Sequence, residues 1–559
     1  MKDFLTKYSG WLLLAVLIIM FIPWLGESLY NTKGEPRESI VAVSMLNSGN
    51  WILPVSFDYE IPYKPPFLAW CIALFSWLMG GEVTEFTSRI PSALACVFMA
   101  MATYTFFYRH KGSRFVGLIT ALVLVTAVEV WRAASSCRVD MLNTAFMVGA
   151  MYSMYNFFEN RCRGGLPWLA ILLMSCSFLT KGPVGVVLPC LVLGLYRLMI
   201  GDRFFPLLGR LFVAGTLSCV IPAIWYIAAY KQGGDNFLSL VVEENFGRLT
   251  GSMSYESHEN PWYYNVLTVV SGMAPYTLLC VFALFSIKWR KPSSKGWFRS
   301  IRRRILSQNR VTLFAEVVAI VIFVFYCIPK SKRSVYLLPI YPMLAYFVTL
   351  LIGYLVGNKK KSLMVYGWVI SVISIVVPLV LIAAYTGIIP KLSGFSEYGI
   401  NIVILSSIAV VIAVSCMLIY RLLKGSYKQK ASWIIAATVA LLTSVSCAAL
   451  PPILSSKSDY PVAMEIRKDY PNEILYSFVD DTALRLYEIN FYLGDRLRIF
   501  DKEYERENLP SEGFLLSNQE DEEALLSRFE DEISFEKIKI YSKPAPMLTR
   551  PKRLNTCLY

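Results

Sequence analysis

Apolar residues in this chain come in long blocks separated by short polar loops. A helix needs about 20 apolar residues to cross the hydrocarbon of a bilayer. Blocks of that order lie near residues 11–29, 86–107, 114–131, 140–158, 166–180, 183–200, 210–230, 263–287, 311–329, 334–356, 363–386, 401–423 and 431–450. The pattern predicts an all-α polytopic membrane protein of about 13 transmembrane helices, because a helix satisfies its own backbone within lipid. The run from Phe67 to Gly80 is shorter, about 14 apolar residues, and reads as an interfacial helix in the first outer loop.

Charge then assigns the sides. With 67–80 left in the interface, alternate loops carry the basic residues: Arg109, Lys111 and Arg114; Arg161 and Arg163; Arg197, Arg203 and Arg210; the loop 288–310; Lys359-Lys360-Lys361; and Arg421 to Lys430. Together with Lys2 and Lys7 they share the cytoplasmic side. A crossing at 67–80 would reverse every later loop. The first block, Trp11 to Leu25, lacks a small-residue cleavage site and reads as an uncleaved span. By parity the C-terminal region is outside.

That region differs in composition. Residues 1–455 read as the membrane domain, and 456–559, rich in Asp and Glu, as a small soluble α/β domain. Ile474 to Phe478 and Arg496 to Phe500 have the character of strands, and Thr482 to Leu493 and Glu520 to Phe529 of helices. No repeat and no inverted symmetry between halves is visible.

Composition narrows the class. Of 559 residues 55% are hydrophobic and 17% charged, against about 25% charged in soluble domains. The net charge of +14 sits in short loops rather than in an aromatic-interleaved basic stripe, so nucleic acid is not the expected partner. The 12 cysteines are scattered without any C-x-x-C. They read as small packing residues rather than a disulfide framework or zinc site.

The outward loops carry the chemistry. They hold Glu35, Arg37 and Glu38; Asp58, Glu60, Tyr63 and Lys64; Arg132, Arg138 and Asp140; Lys181; Arg248 and His258; and Lys330, Lys332, Arg333 and Tyr336. Cations outside run against the topology rule. A phosphate-bearing substrate at the outer face accounts for them, because Arg grips phosphate through a planar fork and Lys as a point charge. Each residue has a plainer reading as well. Arg138 could pair with Asp140, Lys181 could snorkel to the interface, and Glu35 could form a surface ion pair with Arg37. Glu85 could cap a helix, His258 could be a structural histidine, and Lys330–Arg333 could be a solvated turn. Trp262-Tyr263-Tyr264 suits interface anchoring.

Several of these stretches, in this order, resemble one family. They are Gly34-Glu35-Pro36-Arg37, Ser44 to Trp51, Tyr63-Lys64-Pro65-Pro66, Ser88-Arg89-Ile90-Pro91-Ser92-Ala93, Arg138-Val139-Asp140, Thr180-Lys181-Gly182-Pro183, His258 to Tyr264, Ser331 to Pro339 and Phe491-Tyr492-Leu493-Gly494. The chain resembles the integral-membrane GT-C glycosyltransferases, in the bacterial branch of aminoarabinose (lipid A) transferases related to protein O-mannosyltransferases. The resemblance implies thirteen spans, interfacial helices in the first outer loop and a C-terminal periplasmic domain in the bacterial inner membrane. It also implies a polyprenyl-phosphate sugar donor, a lipid A-type or other envelope acceptor, and inversion at the anomeric carbon. Two positions depart from the family. Gly34 stands where an Asp precedes the Glu, and Tyr63 stands where a Glu precedes the Lys. In that branch the latter Glu resembles a metal partner of the histidine, so His258 is left as the candidate ligand of a divalent metal.

On this reading Arg37, Lys64, Lys181, Arg248, Lys332 and Tyr336 bind the donor phosphate, and Glu35 and Asp140 are the catalytic acids. A hydroxyl acceptor requires one carboxylate as base; an ionised phosphate acceptor requires none. The competing class is a flippase for a lipid-linked sugar. An odd span count, the lack of repeats and the few charges within spans speak against it.

Overall fold

The computed structural model describes residues 8–62, 64–162, 164–244, 259–287, 308–480, 485–500, 513–529, 534–542 and 556–559. Among them, seven helices are long and apolar enough to cross a bilayer, or up to nine if each of two bent pairs is one span. Phe67–Leu78 is a separate 12-residue apolar helix. Large apolar side chains face outward along these helices: Phe212 is 70% exposed, Ile224 64% and Ile320 62%. Such a surface suits lipid contact and not water. Inside, Leu17, Ala100, Met147, Met174, Phe314 and Tyr346 belong to one buried cluster.

Two expected spans are broken. Arg114–Val125 and Val128–Ala134 meet at 71°, and Tyr264–Gly272 and Tyr276–Leu284 at 103°. A break frees backbone groups that lipid cannot satisfy. Here the two breaks satisfy each other: the Val128 amide donates to the Ala274 carbonyl at 3.0 Å, and the hydroxyls of Thr126 and Tyr276 lie 2.6 Å apart. Proline at 275 has no amide to continue the ladder. Gly272 permits the close approach, since a Cβ there would lie 2.0 Å from the Tyr341 hydroxyl.

The loop that follows the first helix folds as the helix Gly34–Ser48, a tight turn at 56–60 and the helix Phe67–Leu78. Pro36 is tolerated in the first turn of its helix, where amides have no intrahelical partner, and Gly49 ends that helix at φ 69°. The remainder of the chain holds this loop in place. Five strands, β1 (Leu475–Phe478), β2 (Leu497–Ile499), β3 (Phe514–Asn518), β4 (Lys539–Tyr541) and β5 (Thr556–Leu558), form a sheet of order β2-β1-β3-β5-β4. β1 runs parallel to β2 and β3, and β5 antiparallel to β3 and β4. The two strands read from sequence are β1 and β2. The other three are not expected from the sequence; β3 is buried at four of its five positions and β5 at all three, so neither shows the alternation of a half-buried strand. The helix expected over 482–493 is described only as Tyr487–Tyr492.

The sheet region and the first loop share one apolar cluster, with Tyr30, Ile40 and Phe57 packed against Ile466, Ile489 and Leu493. Asp495 pins the turn. Its carboxylate accepts from Ser44 Oγ at 2.5 Å, Asn490 Nδ2 at 2.8 Å and the Phe57 amide at 2.9 Å. Phe57 is held at φ 55°, a conformation that costs a bulky residue about 1–3 kcal/mol. These bonds, and the edge-on contact of Phe57 with Tyr487 at 5.4 Å, offset that cost.

Candidate functional site

Two carboxylate–cation centres flank the loop helix Gly34–Ser48. The first is buried. Arg89 lies four residues into the long helix Glu85–Lys111, in an apolar setting where a guanidinium needs a carboxylate. It finds Glu35: Nε donates to Oε1 at 2.9 Å and Nη2 to Oε2 at 3.1 Å. The Cys137 amide also donates to Oε1 at 2.7 Å. Arg89 Nη1 fills its capacity on the carbonyls of Leu25 at 2.8 Å and Ser28 at 2.6 Å. Burial pushes the Glu35 carboxyl up, but the Arg89 charge and hydrogen bonds outweigh it and hold it below the usual glutamate range. Glu35 therefore pairs with Arg89 and not with Arg37.

The second centre faces a cleft lined by Arg37, Glu38, Ser56, Glu60, Lys64 and Trp225. Lys64 donates to Glu38, and Arg37 Nη2 lies 3.9 Å from the same carboxylate. Burial pulls the Lys64 ammonium down; Glu38 partly restores it and Arg37 opposes, leaving it below the usual lysine range. Beside it, Asp140 at the start of the helix Val139–Glu159 accepts from Lys181, the last residue of Trp168–Lys181. Lys64 and Asp140 are close enough to feel each other's charge. The Lys181 ammonium lies 4.3 Å from the centroid of the Tyr336 ring, a cation–π contact. Lys181 thus has built partners and does not simply snorkel.

The other expected residues are placed differently. Lys332 is 6% exposed and donates to the carbonyls of Pro329 at 2.7 Å and Asn260 at 3.2 Å, so it braces two loops and does not face the cleft. Arg138 does not pair with Asp140; its guanidinium packs on Gly34, where an added Cβ would lie 2.6 Å from Nη2. Glu85 accepts from the Tyr492 hydroxyl at 2.7 Å, so it joins the helix start to the sheet region. Arg248, His258 and Tyr63 lie outside the described residues. No group of three or more His, Cys, Asp or Glu suited to a metal occurs among the described residues.

Arg89, Glu38 and Glu60 acquire roles that the sequence reading did not give them. Glu60 accepts from Arg485 at 3.0 Å and Tyr487 at 2.6 Å, both beyond residue 480. The usable signal for Arg89 was its position, a guanidinium near the start of an apolar block whose nearest acid in sequence, Glu85, is engaged by Tyr492 instead.

The family profile of Dolichyl-phosphate-mannose-protein mannosyltransferase matches residues 63–226. An uncharacterized protein of Aquifex aeolicus is 30% identical over 367 residues, covering 65% of this chain and 68% of that one. An undecaprenyl phosphate-alpha-4-amino-4-deoxy-L-arabinose arabinosyl transferase of Edwardsiella ictaluri is 25% identical over 65% of this chain and 63% of its own. The crystal structure of ArnT from Cupriavidus metallidurans bound to undecaprenyl phosphate has the same fold, with TM-score 0.70, 19% identity and 98% of each chain covered. The chain belongs to the aminoarabinose-transferase family of GT-C membrane glycosyltransferases. This GT-C chain spans less than two thirds of the length of the Edwardsiella transferase that it matches. The archaeal oligosaccharyltransferase AglB from Archaeoglobus fulgidus is a more distant neighbour in fold, with TM-score 0.51 and 12% identity. As a GT-C protein with membrane-length helices, the chain is an integral membrane protein.

Proposed function

We propose that the protein transfers a sugar from a polyprenyl-phosphate carrier to a lipid A-type or other envelope acceptor at the periplasmic face of the inner membrane. The observation that carries this reading is the pair of neighbouring ion pairs Lys64–Glu38 and Lys181–Asp140, near enough for Lys64 and Asp140 to feel each other's charge. A donor phosphate can replace Glu38 as the partner of Lys64 and Arg37, keeping the cations compensated on both sides of the exchange. In the reaction the acceptor oxygen attacks the anomeric carbon. The bond from that carbon to the phosphate oxygen breaks, and polyprenyl phosphate leaves with the electron pair. The cations stabilise this leaving charge, the kind of term worth about 3–4 kcal/mol per donor group. Asp140 keeps Oδ2 without a hydrogen-bond partner among the described residues, so it can orient the sugar or accept the proton of a hydroxyl acceptor. Glu35, with both oxygens occupied, positions the loop and leaves the chemistry to Asp140.

The reading includes thirteen crossings with the N-terminus cytoplasmic and residues 456–559 periplasmic. In its support, the seven long helices, the two bent pairs, the short apolar helices Ser9–Phe21, Trp168–Lys181 and Val184–Met199, and Val139–Glu159 fall on the thirteen apolar blocks. Phe67–Leu78 is left for the interface.

The test is mass spectrometry of lipid A, surface polysaccharide and envelope proteins from cells with the intact chain, without it, and with Lys64→Ala. A sugar lost from one acceptor in both the deletion and Lys64→Ala identifies the substrate. An unchanged set of acceptors, with a polyprenyl-phosphate sugar accumulating on the inner leaflet, means a flippase instead.

A further inference from the structure

Phe57 and Asp58 both stand in the left-handed region, at φ 55° and φ 65°. Two such residues in succession, neither of them glycine, persist only where surrounding contacts enforce them. The turn closes on itself: the Ser56 amide donates to the Glu60 carbonyl at 3.0 Å and the Glu60 amide to the Ser56 carbonyl at 2.7 Å. Residues far along the chain then hold it at three points. The Asp495 carboxylate accepts the Phe57 amide, Arg498 Nε lies 3.4 Å from the Asp58 carboxylate, and the Glu60 carboxylate accepts from both Arg485 and Tyr487. The Arg498 contact is exposed on both sides and holds little. The Glu60 contact is the sheltered one, with the Arg485 side chain only 10% exposed.

Lys64 follows Glu60 by four residues, and Pro62, Pro65 and Pro66 stand between and just after them. Proline fixes its own φ and restricts the residue before it, so this tether is short and stiff. A shift at Glu60 is passed on to Lys64 rather than absorbed. Glu60, Lys64 and Tyr487 line one cleft, and Tyr487 is its one lining residue from beyond residue 455 among the described residues. Arg37 is near enough for its charge to be felt at the Tyr487 phenol. An uncompensated carboxylate in that cleft would compete with a phosphate for Lys64 and Arg37. Arg485 and Tyr487 keep both oxygens of Glu60 occupied, at 3.0 and 2.6 Å.

We propose that Arg485 and Tyr487 are positioning residues for the transfer reaction: through Glu60 they set the place of Lys64 and keep Glu60 off the cations that meet the donor phosphate. The C-terminal region is then a working part of the site and not a cover over it. The role in transfer rests on the proposed function; the placement of the Lys64 segment does not.

Tyr487→Phe and Arg485→Met are compared with the parent, as full chains in detergent. Leu525→Ala is the control. It opens space in a separate apolar cluster, with Phe478, Leu515 and Phe529, and so destabilises the same region without touching the turn. Amide hydrogen exchange is followed by mass spectrometry. Tyr487→Phe and Arg485→Met are each expected to speed exchange across 56–66 about tenfold, the scale of one lost hydrogen bond to a charged group, and to leave β1 and β3 as in the parent. In transfer assays kcat/KM falls, and the alkaline limb set by Lys64 moves to higher pH. A loosened segment exposes an ammonium that burial holds below the usual lysine range, and a freed Glu60 beside it acts in the same direction. Glu38, Arg37 and Asp140, the charges that Lys64 feels, are unaltered in all three variants. Unchanged exchange over 56–66 in both variants overturns the proposal. So does faster exchange with an unmoved limb, or a Leu525→Ala chain whose limb moves as far. A parent chain that transfers no sugar removes the transferase reading, and exchange in the variants alone then decides whether Glu60 holds the Lys64 segment.

Discussion

Glu35 and Asp140 both stand in the first turn of a helix, both are buried, and both face a cation. They differ in what is left over. Glu35 has both oxygens occupied, by two nitrogens of Arg89 and the Cys137 amide. Asp140 receives one ammonium on one oxygen and feels the charge of a second, Lys64. A fork matched to a carboxylate makes a rigid joint, whereas a point charge on a flexible stem makes an exchangeable contact. Two acids that look equivalent in sequence thus separate into one that builds the loop and one that can meet a substrate.

The sharpest way to break this comparison is Glu35→Ala. Removing one partner of a buried pair leaves Arg89 uncompensated, at a cost of about 3–5 kcal/mol. Thermal unfolding of the purified chain should show it as a large loss of stability. A melting temperature unchanged from the parent would make Glu35 as free as Asp140. The pH dependence has a fixed sign. Because the folded carboxyl is held below its usual range, its contribution is full at neutral pH and is lost only as pH falls through that lowered value.

Next in size is Lys64→Ala, expected to lower kcat/KM by about 10²–10³ while the chain still folds. Lys64→Arg retains the charge and should fall less. Asp140→Asn should cost about 10² in rate, the scale of a lost base or orienting contact, with a smaller stability loss than Glu35→Ala. If Asp140→Asn unfolds the protein and Glu35→Ala only slows it, the two assignments are reversed.

Much of this arrangement was legible in the chain, and the limits have physical causes. Lys64, Asp140, Lys181 and Tyr336 stood out because charges and aromatics at the outer ends of apolar blocks need a reason. Partnership was not legible. Arg89 is 54 positions from Glu35, and Tyr492 is 407 from Glu85, and no local spacing joins them. Lys332 sits in a basic cluster that looks phosphate-binding, yet its ammonium is turned onto backbone carbonyls by a fold that only the loops at 259–260 and 330–332 together define. The broken spans read as continuous because hydropathy counts apolar residues and is blind to a bend at Pro275.

A gentler probe is pH on the alkaline side. Burial holds Lys64 below the usual lysine range, so in the free enzyme it loses its proton at a lower pH than an exposed lysine. Two opposite effects follow in the window between its folded and unfolded values. Phosphate binding weakens, because the cation is lost; stability rises, because the unfolded chain binds more protons there. A pH profile of kcat/KM should therefore fall on its alkaline side while thermal stability does not, and Lys64→Arg should move the fall out of range. Parallel declines in both would mean general alkaline unfolding.

The smallest effect tests whether the sheet region does more than cover the site. Tyr492 reaches across the molecule in two bonds: its hydroxyl donates to Glu85 at 2.7 Å and accepts the Tyr30 amide at 3.1 Å. Tyr30 in turn is packed by the Arg89 guanidinium, 5.2 Å from its ring centroid, and shares a hydroxyl contact with Ser39 at 2.7 Å. Tyr492→Phe keeps the ring and removes both bonds, each worth about 1 kcal/mol net. A rigid brace predicts that the loss appears in stability alone, since the Glu35–Arg89 joint has enough other contacts to hold the loop. A fall in kcat/KM larger than the stability change would instead show that the sheet sets the position of the loop helix, and with it both centres on its flanks.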